Sequence, residues 1–356
     1  MSPQPEAIRG ATITGTGMYV PERVLTNHDL EQMVDTSDAW ILERTGIRER
    51  RISAPDQAAS DLAVIAARRA LEMAKVDVGE VDQIIVATTT PDRLLPSCAC
   101  TVQAKLGAPQ AAAYDMFAAC TGFIFGLSIA RGLIGTGGAD TVLLIGVEQL
   151  SRIVDYSDRN TCVLFGDGAG AAVLRPCPPG EGILAVSIHS DGALGDLLEL
   201  PAGGAALPAS HETVDQRLHF IKMRGRELFR VAVRGMEDSM RRALEGAELS
   251  PQDLELVVPH QANLRIIDAT RERLGIHPDR MLVNIERYGN TSSASIPITL
   301  DEVVRAGRLK QGDHVGLVAF GGGITWGASV ARWTIPAFKA GEGEAAVPAA
   351  RRAKTA

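Results

Sequence analysis

The sequence predicts a layered α/β protein built from two duplicated halves, and three observations predict it. Laying Ala70 on Ala243, an offset of 173 residues, brings Ala70-Leu71-Glu72-Met73-Ala74 onto Ala243-Leu244-Glu245-Gly246-Ala247. The same offset carries Val81-Asp82-Gln83-Ile84-Ile85-Val86 onto Leu254-Glu255-Leu256-Val257-Val258-Pro259, and Ala139-Asp140-Thr141-Val142-Leu143-Leu144-Ile145 onto Gly312-Asp313-His314-Val315-Gly316-Leu317-Val318. A shift that stays constant over such a length marks an internal repeat. Second, each copy holds an amphipathic helix: Leu62, Ile65, Ala66, Ala70 and Met73 fall at helical spacing, and residues 231–244 behave alike. Third, the apolar runs 84–87 and 142–145 lack polar alternation, the pattern of strands covered on both faces. Helices alternating with doubly buried strands give a layered α/β architecture.

Taken in order, residues 1–10 form an N-terminal extension in which Glu6 and Arg9 interrupt any signal-peptide-like apolar run. The first half is expected over 11–178. Its Gly15-Thr16-Gly17 should follow a short strand, but Met18-Tyr19-Val20-Pro21 supplies neither a third glycine nor a helix start, so a dinucleotide fingerprint fails. Phe165-Gly166-Asp167-Gly168-Ala169-Gly170 lacks the Lys and Ser/Thr of a phosphate loop and reads as a place where strands and helices approach closely. The second half is expected over 179–335, its strand 315–319 running into Phe320-Gly321-Gly322-Gly323, whose backbone N–H groups can face a developing oxyanion. Residues 336–356, rich in Ala with Gly, Glu, Lys and Arg, read as a disordered tail.

Composition narrows the function. A net charge of −7 over 356 residues argues against nucleic acid as the main partner. The longest apolar runs are strand-sized, so no segment is expected to span a bilayer, and a soluble cytoplasmic protein is expected. The five cysteines form no disulfide-like framework. Cys98 and Cys100 are the one close pair, and with no His or second Cys pair nearby they read as buried or half-buried thiols rather than metal ligands.

Three segments carry the chemistry: Ala118-Ala119-Cys120-Thr121-Gly122-Phe123, Pro259-His260-Gln261-Ala262-Asn263 and Tyr288-Gly289-Asn290-Thr291-Ser292. Cys120 precedes Phe123, Leu127, Ala130 and Ile134 at helical spacing, so it stands at a helix N-terminus, where unpaired N–H groups favour a thiolate. Alone, it reads equally well as a small core cysteine. His260 alone reads as a strand-end histidine bonded to backbone, and Asn290 as a left-handed turn residue. The offset places Cys120 on Ser293, three residues past Asn290, and His260 at the end of a strand, where open α/β sheets place ligand sites. Jointly, the thiol, imidazole and carboxamide point to thioester chemistry near a pseudo-twofold axis.

These segments, with residues 320–327, resemble the signature segments of the ketoacyl-acyl carrier protein synthase III family of the thiolase superfamily. Val34-Asp35-Thr36-Ser37-Asp38-Ala39-Trp40, Arg44-Thr45-Gly46-Ile47-Arg48-Glu49-Arg50 and Asp158-Arg159 match as well, and the resemblance runs from about Ala11 to Trp333. It implies a five-layered α-β-α-β-α thiolase-like fold, a homodimer, acyl-CoA and acyl carrier protein as substrates and partners, and no cofactor or metal. It implies that Cys120 is acylated by a short acyl-CoA, with the N–H groups of Cys120 and Gly322 as oxyanion hole. His260 and Asn290 would then hold the thioester oxygen of malonyl-carrier protein during decarboxylation, with hydrogen on His260 Nε2 and Phe320 shaping its surroundings. Trp40 and Arg159 would sandwich the adenine of CoA, Arg44 and Thr45 bind its nucleotide end, and Asn263 touch the pantetheine arm. Alone, Trp40 more often reads as a core aromatic. Arg226, Arg230 and Arg234 stand four apart on one helical face, and Arg265, Arg271 and Arg273 follow His260. Such runs are most often solvated surface charge, but an acidic carrier protein gives a local basic patch on an acidic enzyme a reason.

Three features depart from the family pattern. Leu95 lies where members vary a residue that crosses the dimer interface and trims the acyl pocket, Asn160 follows Arg159 where Gly is expected, and the tail runs past the usual end. A relative that primes a polyketide or transfers an acyl group in secondary metabolism is the nearest alternative. A degradative thiolase needs a second late cysteine, and none follows Cys177. Elongating synthases use a second histidine where Asn290 stands. A noncatalytic acyl-CoA-binding scaffold would not require Cys120, His260 and Asn290 together.

Overall fold

The computed structural model describes residues 8–337 and the backbone of Arg351–Arg352. Strand β1 (Gly10–Tyr19) opens the chain, followed by a small hairpin of β2 (Arg23–Thr26) and β3 (Glu49–Ile52) that encloses α1 (Asn27–Glu31) and α2 (Asp38–Thr45). Helix α3 (Ala59–Ala74), β4 (Gln83–Ala87), α4 (Cys98–Leu106), β5 (Ala112–Met116), α5 (Gly122–Gly135), β6 (Val142–Gln149) and β7 (Asp167–Cys177) complete a sheet of order β1-β7-β6-β4-β5. The parallel pairs β6-β4 and β4-β5 sit beside antiparallel β7 and β1. Every residue of β6 is buried, as its unbroken apolar run requires.

The second half begins with β8 (Gly182–Ser190) and passes through β9 (Leu198–Glu199), α6 (His211–Asp215) and β10 (Lys222–Met223) to the long α7 (Gly225–Gly246). It continues with β11 (Leu256–Pro259), α8 (Leu264–Leu274), β12 (Leu282–Val283), α9 (Ile285–Tyr288), α10 (Ser295–Arg305), β13 (His314–Gly321) and β14 (Thr325–Arg332). The second sheet has the order β11-β13-β14-β8, which reads β8-β14-β13-β11 beside the β1-β7-β6-β4 of the first. Helices α3 and α4 cover the outer face of the first sheet, α5 and α10 lie between the sheets, and α7, with α8 packed against it, covers the second. That is the five-layered thiolase-like arrangement. Apolar clusters fill the spaces between layers, one around Ile85, Phe123, Leu127, Ile296 and Leu317 joining the two halves.

The repeat is also written in the backbone. Ala119 and Ser292, 173 residues apart, both have positive φ, +45° and +47°. Each starts a short 3-10 turn, Ala119–Thr121 and Ser292–Ala294, that leads into a central helix. Left-handed backbone is uncommon for residues other than glycine, so its recurrence at matched positions is not an accident of composition.

Several sequence expectations need adjusting. Gly15 and Gly17 lie inside β1 rather than after it. A Cβ on Gly15 would sit 2.4 Å from the Ala70 carbonyl oxygen and one on Gly17 2.3 Å from that of Ala66, so these glycines let α3 lie directly on the strand. The helices expected over 62–74 and 231–244 begin earlier, at Ala59 and Gly225. The expected tail, 336–356, falls mostly outside the described residues. Within it, Arg351–Arg352 pairs antiparallel with β12.

Candidate active site

A cavity of about 780 Å³ opens at the junction of the halves, lined among others by Cys120, His260, Asn290, Phe320 and Gly321. Thus the turn before α5, the end of β11, the segment before α10 and the end of β13 converge on one space. A surface hollow of about 830 Å³ beside His277 and Lys310 has no thiol in its walls.

Cys120 is 7 % exposed, in the 3-10 turn that α5 continues. Its own backbone N–H and that of Gly322 are among the groups that act on the sulfur. Strand β13 reaches it through Gly321, where a Cβ would lie 2.7 Å from the Cys120 nitrogen. The helix-end position led us to expect a lowered thiol pKa, and the structure reverses that expectation. Burial pushes the thiol up to about 12; the Ser292 hydroxyl and the two N–H groups oppose the shift, and the Glu148 carboxylate adds to it. The shift favours the neutral thiol.

His260 is buried immediately after β11, its N–H donating to the Val318 carbonyl at 2.7 Å. Burial pulls its imidazole down to about 3, so the ring is neutral. Nδ1 lies 2.6 Å from Ser295 Oγ, and the Gln261 N–H donates to the same Oγ at 3.4 Å. A Ser295 hydroxyl that donates to Nδ1 leaves the ring hydrogen on Nε2. Gln261 braces this corner by donating to the Pro259 carbonyl and accepting from the N–H groups of Asn284 and Ile285.

Asn290 is anchored at both backbone ends, donating to the Leu164 carbonyl at 2.8 Å and accepting from the Gly166 N–H at 3.0 Å. Its Oδ1 accepts the Ser292 N–H at 2.8 Å. The amide NH2 is therefore the end that faces the cavity. Two neutral donors, imidazole Nε2–H and carboxamide NH2, stand opposite a thiol.

At the cavity mouth, Arg44 lies 4.5 Å and Arg159 5.2 Å from the Trp40 ring centroid. Arg159 also donates to the Asp35 carbonyl. Thr45 lines the cavity, but its hydroxyl is committed to the Ile41 carbonyl and the Ile47 N–H. Asn263 likewise lines it while capping α8 through the Arg265 N–H and donating to the Arg44 carbonyl. Asn160 turns its side chain to Asp158. Leu95 is 85 % exposed and absent from the cavity wall of this chain. Arg226, Arg230 and Arg265 line the mouth. Arg234 is exposed further along α7, whereas Arg271 and Arg273 are engaged by Asp268, Glu272 and Glu237.

Sequence reasoning missed three polar residues behind the site. Ser295 Oγ lies 2.6 Å from His260 Nδ1 and Ser292 donates to Glu148. Glu148 is fully buried at the end of an apolar strand, accepting from Thr89, Thr90 and Ser292. A lone acid closing an apolar run was the available signal.

A buried thiol and a paired set of neutral donors at the joint of a duplicated five-layered sandwich define a thiolase-like condensing enzyme. Residues 114–192 match the family model 3-oxoacyl-[acyl-carrier-protein] synthase III, and residues 244–333 match that family's C-terminal model. The chain is 54 % identical to a beta-ketoacyl-[acyl-carrier-protein] synthase III of Caldanaerobacter subterraneus subsp. tengcongensis, over 91 % of this chain and 98 % of the relative. The crystal structure of 3-oxoacyl-[acyl-carrier-protein] synthase III from Aquifex aeolicus VF5 superposes with a TM-score of 0.84 at 48 % identity, covering 91 % of this chain and all of that one. The priming beta-ketosynthase of the R1128 polyketide pathway superposes with a TM-score of 0.86 at 36 % identity, covering 94 % and 100 %. The chain belongs to the 3-oxoacyl-[acyl-carrier-protein] synthase III family.

Proposed function

We propose that the chain is the initiating condensing enzyme of fatty-acid biosynthesis, joining a short acyl group from acyl-CoA to malonyl-acyl carrier protein with loss of CO2. The observation that carries this reading is the meeting of Cys120 from one half with His260 and Asn290 from the other in one cavity. Cys120 attacks the acyl thioester while the N–H groups of Cys120 and Gly322 receive the oxyanion, and CoA leaves. Malonyl-carrier protein then places its thioester oxygen between His260 Nε2–H and the Asn290 amide. Decarboxylation moves the C–C bonding pair into an enolate held by these two donors, and the enolate carbon attacks the acyl-Cys120 carbonyl. A neutral histidine suits this role, because it donates without being consumed as an acid. The electron pair comes from the malonyl group itself, so no cofactor or metal is required.

The CoA nucleotide belongs at the mouth, against Trp40, Arg44, Thr45 and Arg159. An adenine between Trp40 and Arg159 requires Arg159 to leave its approach to the indole. Asn263 serves the pantetheine arm chiefly by fixing the start of α8. For the carrier protein, Arg226, Arg230 and Arg234 offer charge, since among the described residues none of them is in an ion pair. Arg265, 3.7 Å from Glu43, offers less, and Arg271 and Arg273 are already neutralised locally. A homodimer is supported by the exposed Leu94, Leu95 and Phe117 beside the edge strand β5. In that assembly Leu95 is free to reach the partner's acyl pocket. We further assign halves at 11–178 and 179–335, on the matched strand orders, and a cytoplasmic location.

The test is mass spectrometry after incubation with acetyl-, isobutyryl- and longer acyl-CoAs, followed by malonyl-carrier protein. Acylation confined to Cys120, abolished by Cys120→Ala, followed by a ketoacyl product is the expected result. An enzyme without any Cys120 acylation overturns the mechanism. Acylation without a condensation product moves the assignment to an acyltransferase of secondary metabolism.

A further inference from the structure

The two N–H groups that receive the oxyanion in the reaction above come from different halves of the chain. Cys120 stands in the turn before α5, and Gly322 at the tip between β13 and β14. Neither is flanked by relaxed backbone. Ala119, just before Cys120, has φ +45°, and Gly323 and Ile324, just after Gly322, have φ +72° and +47°. A left-handed β-branched residue is a genuine outlier, so Ile324 keeps that conformation only where its surroundings impose it. Main-chain bonds impose part of it: Gly321 pairs with Thr325 in the β13-β14 ladder, and the Ile324 carbonyl accepts the Asp191 N–H at 2.8 Å. Those bonds shape the tip but do not tie it to the cysteine turn.

A pair of hydroxyls does. Thr121 Oγ1 lies 2.7 Å from Thr325 Oγ1, across 204 residues of sequence. Thr121 is fully buried and has the Ala118 carbonyl at 2.6 Å. Thr325 Oγ1 has that carbonyl at 3.4 Å and the Gly322 carbonyl at 3.3 Å. Whichever hydroxyl donates to the other, the second hydrogen has a carbonyl within reach, that of Ala118 two residues before Cys120 or that of Gly322 itself. We propose that the Thr121–Thr325 hydroxyl pair is the clasp of the oxyanion hole: two positioning residues that hold the Gly322 N–H at the distance from the Cys120 N–H that an acyl oxygen needs. As the sulfur adds to the acyl carbon, the carbonyl π pair moves onto oxygen; it returns as the C–S bond to CoA breaks and CoA leaves as a thiolate. The thiol proton goes to solvent, and CoA takes one back. Only between these events does the oxygen carry a full charge, and donors serve it when they stand about 2.7–3.1 Å away. A tip released from the turn by about 1 Å falls outside that range.

The proposal rests on Cys120 being the acyl acceptor, and its test separates the two. Thr121→Val, Thr325→Val, the double variant and Thr325→Ser are compared with the intact chain, at a temperature below every melt. Mass spectrometry follows single-turnover acylation of Cys120 by acetyl-CoA and, separately, its alkylation by iodoacetamide. Both reactions use the same sulfur, but alkylation displaces iodide from a saturated carbon and develops no oxyanion. Each valine variant should acylate at least about tenfold more slowly while alkylating at the intact rate. The double variant should be no slower than the slower single one, since both changes remove one shared contact. Thr325→Ser keeps the hydroxyl and should recover most of the lost rate. Thr325→Val acylating at the intact rate, acylation and alkylation falling together, or Thr325→Ser as slow as Thr325→Val overturns the clasp. A double variant whose loss is the product of the single losses is equally fatal. Should Thr121→Val fail to fold, the two Thr325 variants decide by the same criteria, since a β-branched side chain suits the start of β14. An intact chain that alkylates yet takes no acyl group overturns the functional reading, and the clasp with it.

Discussion

Replacing Ser295 by alanine removes the hydroxyl that faces His260 Nδ1. In the intact site Ser295 Oγ lies 2.6 Å from Nδ1 and accepts the Gln261 N–H at 3.4 Å, and its hydrogen given to Nδ1 would keep the ring hydrogen on Nε2. His260 is 1 % exposed, so a bare Nδ1 has little water to turn to. An unpaired buried acceptor costs about 1–3 kcal/mol, and that penalty falls on the Nε2–H tautomer that must donate to the enolate oxygen. At about 1.4 kcal/mol per factor of ten, decarboxylation should slow by roughly 5- to 150-fold. Acylation of Cys120 needs no donor from His260 and should be unchanged. Single-turnover CO2 release from malonyl-carrier protein, measured on enzyme already acylated, reads the first effect; mass spectrometry of the acylation step reads the second. Nitrogen-15 NMR of the imidazole reads the tautomer directly. Unchanged CO2 release, or acylation falling in parallel with it, would refute the reasoning.

Gly321→Ala should destabilise the fold by about 1–3 kcal/mol in urea melts, because its Cβ would lie 2.7 Å from the Cys120 nitrogen and 3.0 Å from its Cβ. Acid should weaken the fold through His260: with the imidazole at about 3 when folded and 6.5 in its ordinary state, the unfolded chain binds the extra proton as pH falls through 6.5. The loss between pH 7 and pH 5 is about 2 kcal/mol from this residue and should shrink in His260→Gln, as denaturant melts at the two pH values will show. Reversing Arg226, Arg230 and Arg234 to glutamate should raise KM for malonyl-carrier protein at least about tenfold and reduce its salt dependence, with kcat little changed; steady-state kinetics at two ionic strengths check this.

Much of the fold was legible because the 173-residue repeat and the doubly apolar strands are local or periodic signals. Cys120 could be placed at a helix start from the spacing of Phe123, Leu127 and Ala130, and the structure puts it there. Its ionisation could not be read the same way. Helix-end N–H groups are a local property, whereas the burial that dominates the thiol comes from β13 and the segment before α10, about two hundred residues away. Arg271 and Arg273 looked equal to Arg226 and Arg230 in a basic run. Only the packing of α8 against α7 shows that Glu237 neutralises Arg273. Thr45 and Asn263 matched the family's motif, yet their hydroxyl and amide are spent on closing α2 and capping α8.

By itself the sequence determined the layered duplicated architecture and the chemical types at the site, because hydrophobic period, glycine placement and motif spacing are written along the chain. Tertiary structure alone decided which groups face one another: Ser295 on His260, Ser292 on Glu148, Gly321 against Cys120. These contacts join residues far apart in sequence. In a buried, weakly polarisable space they set protonation and tautomer, which no local pattern encodes.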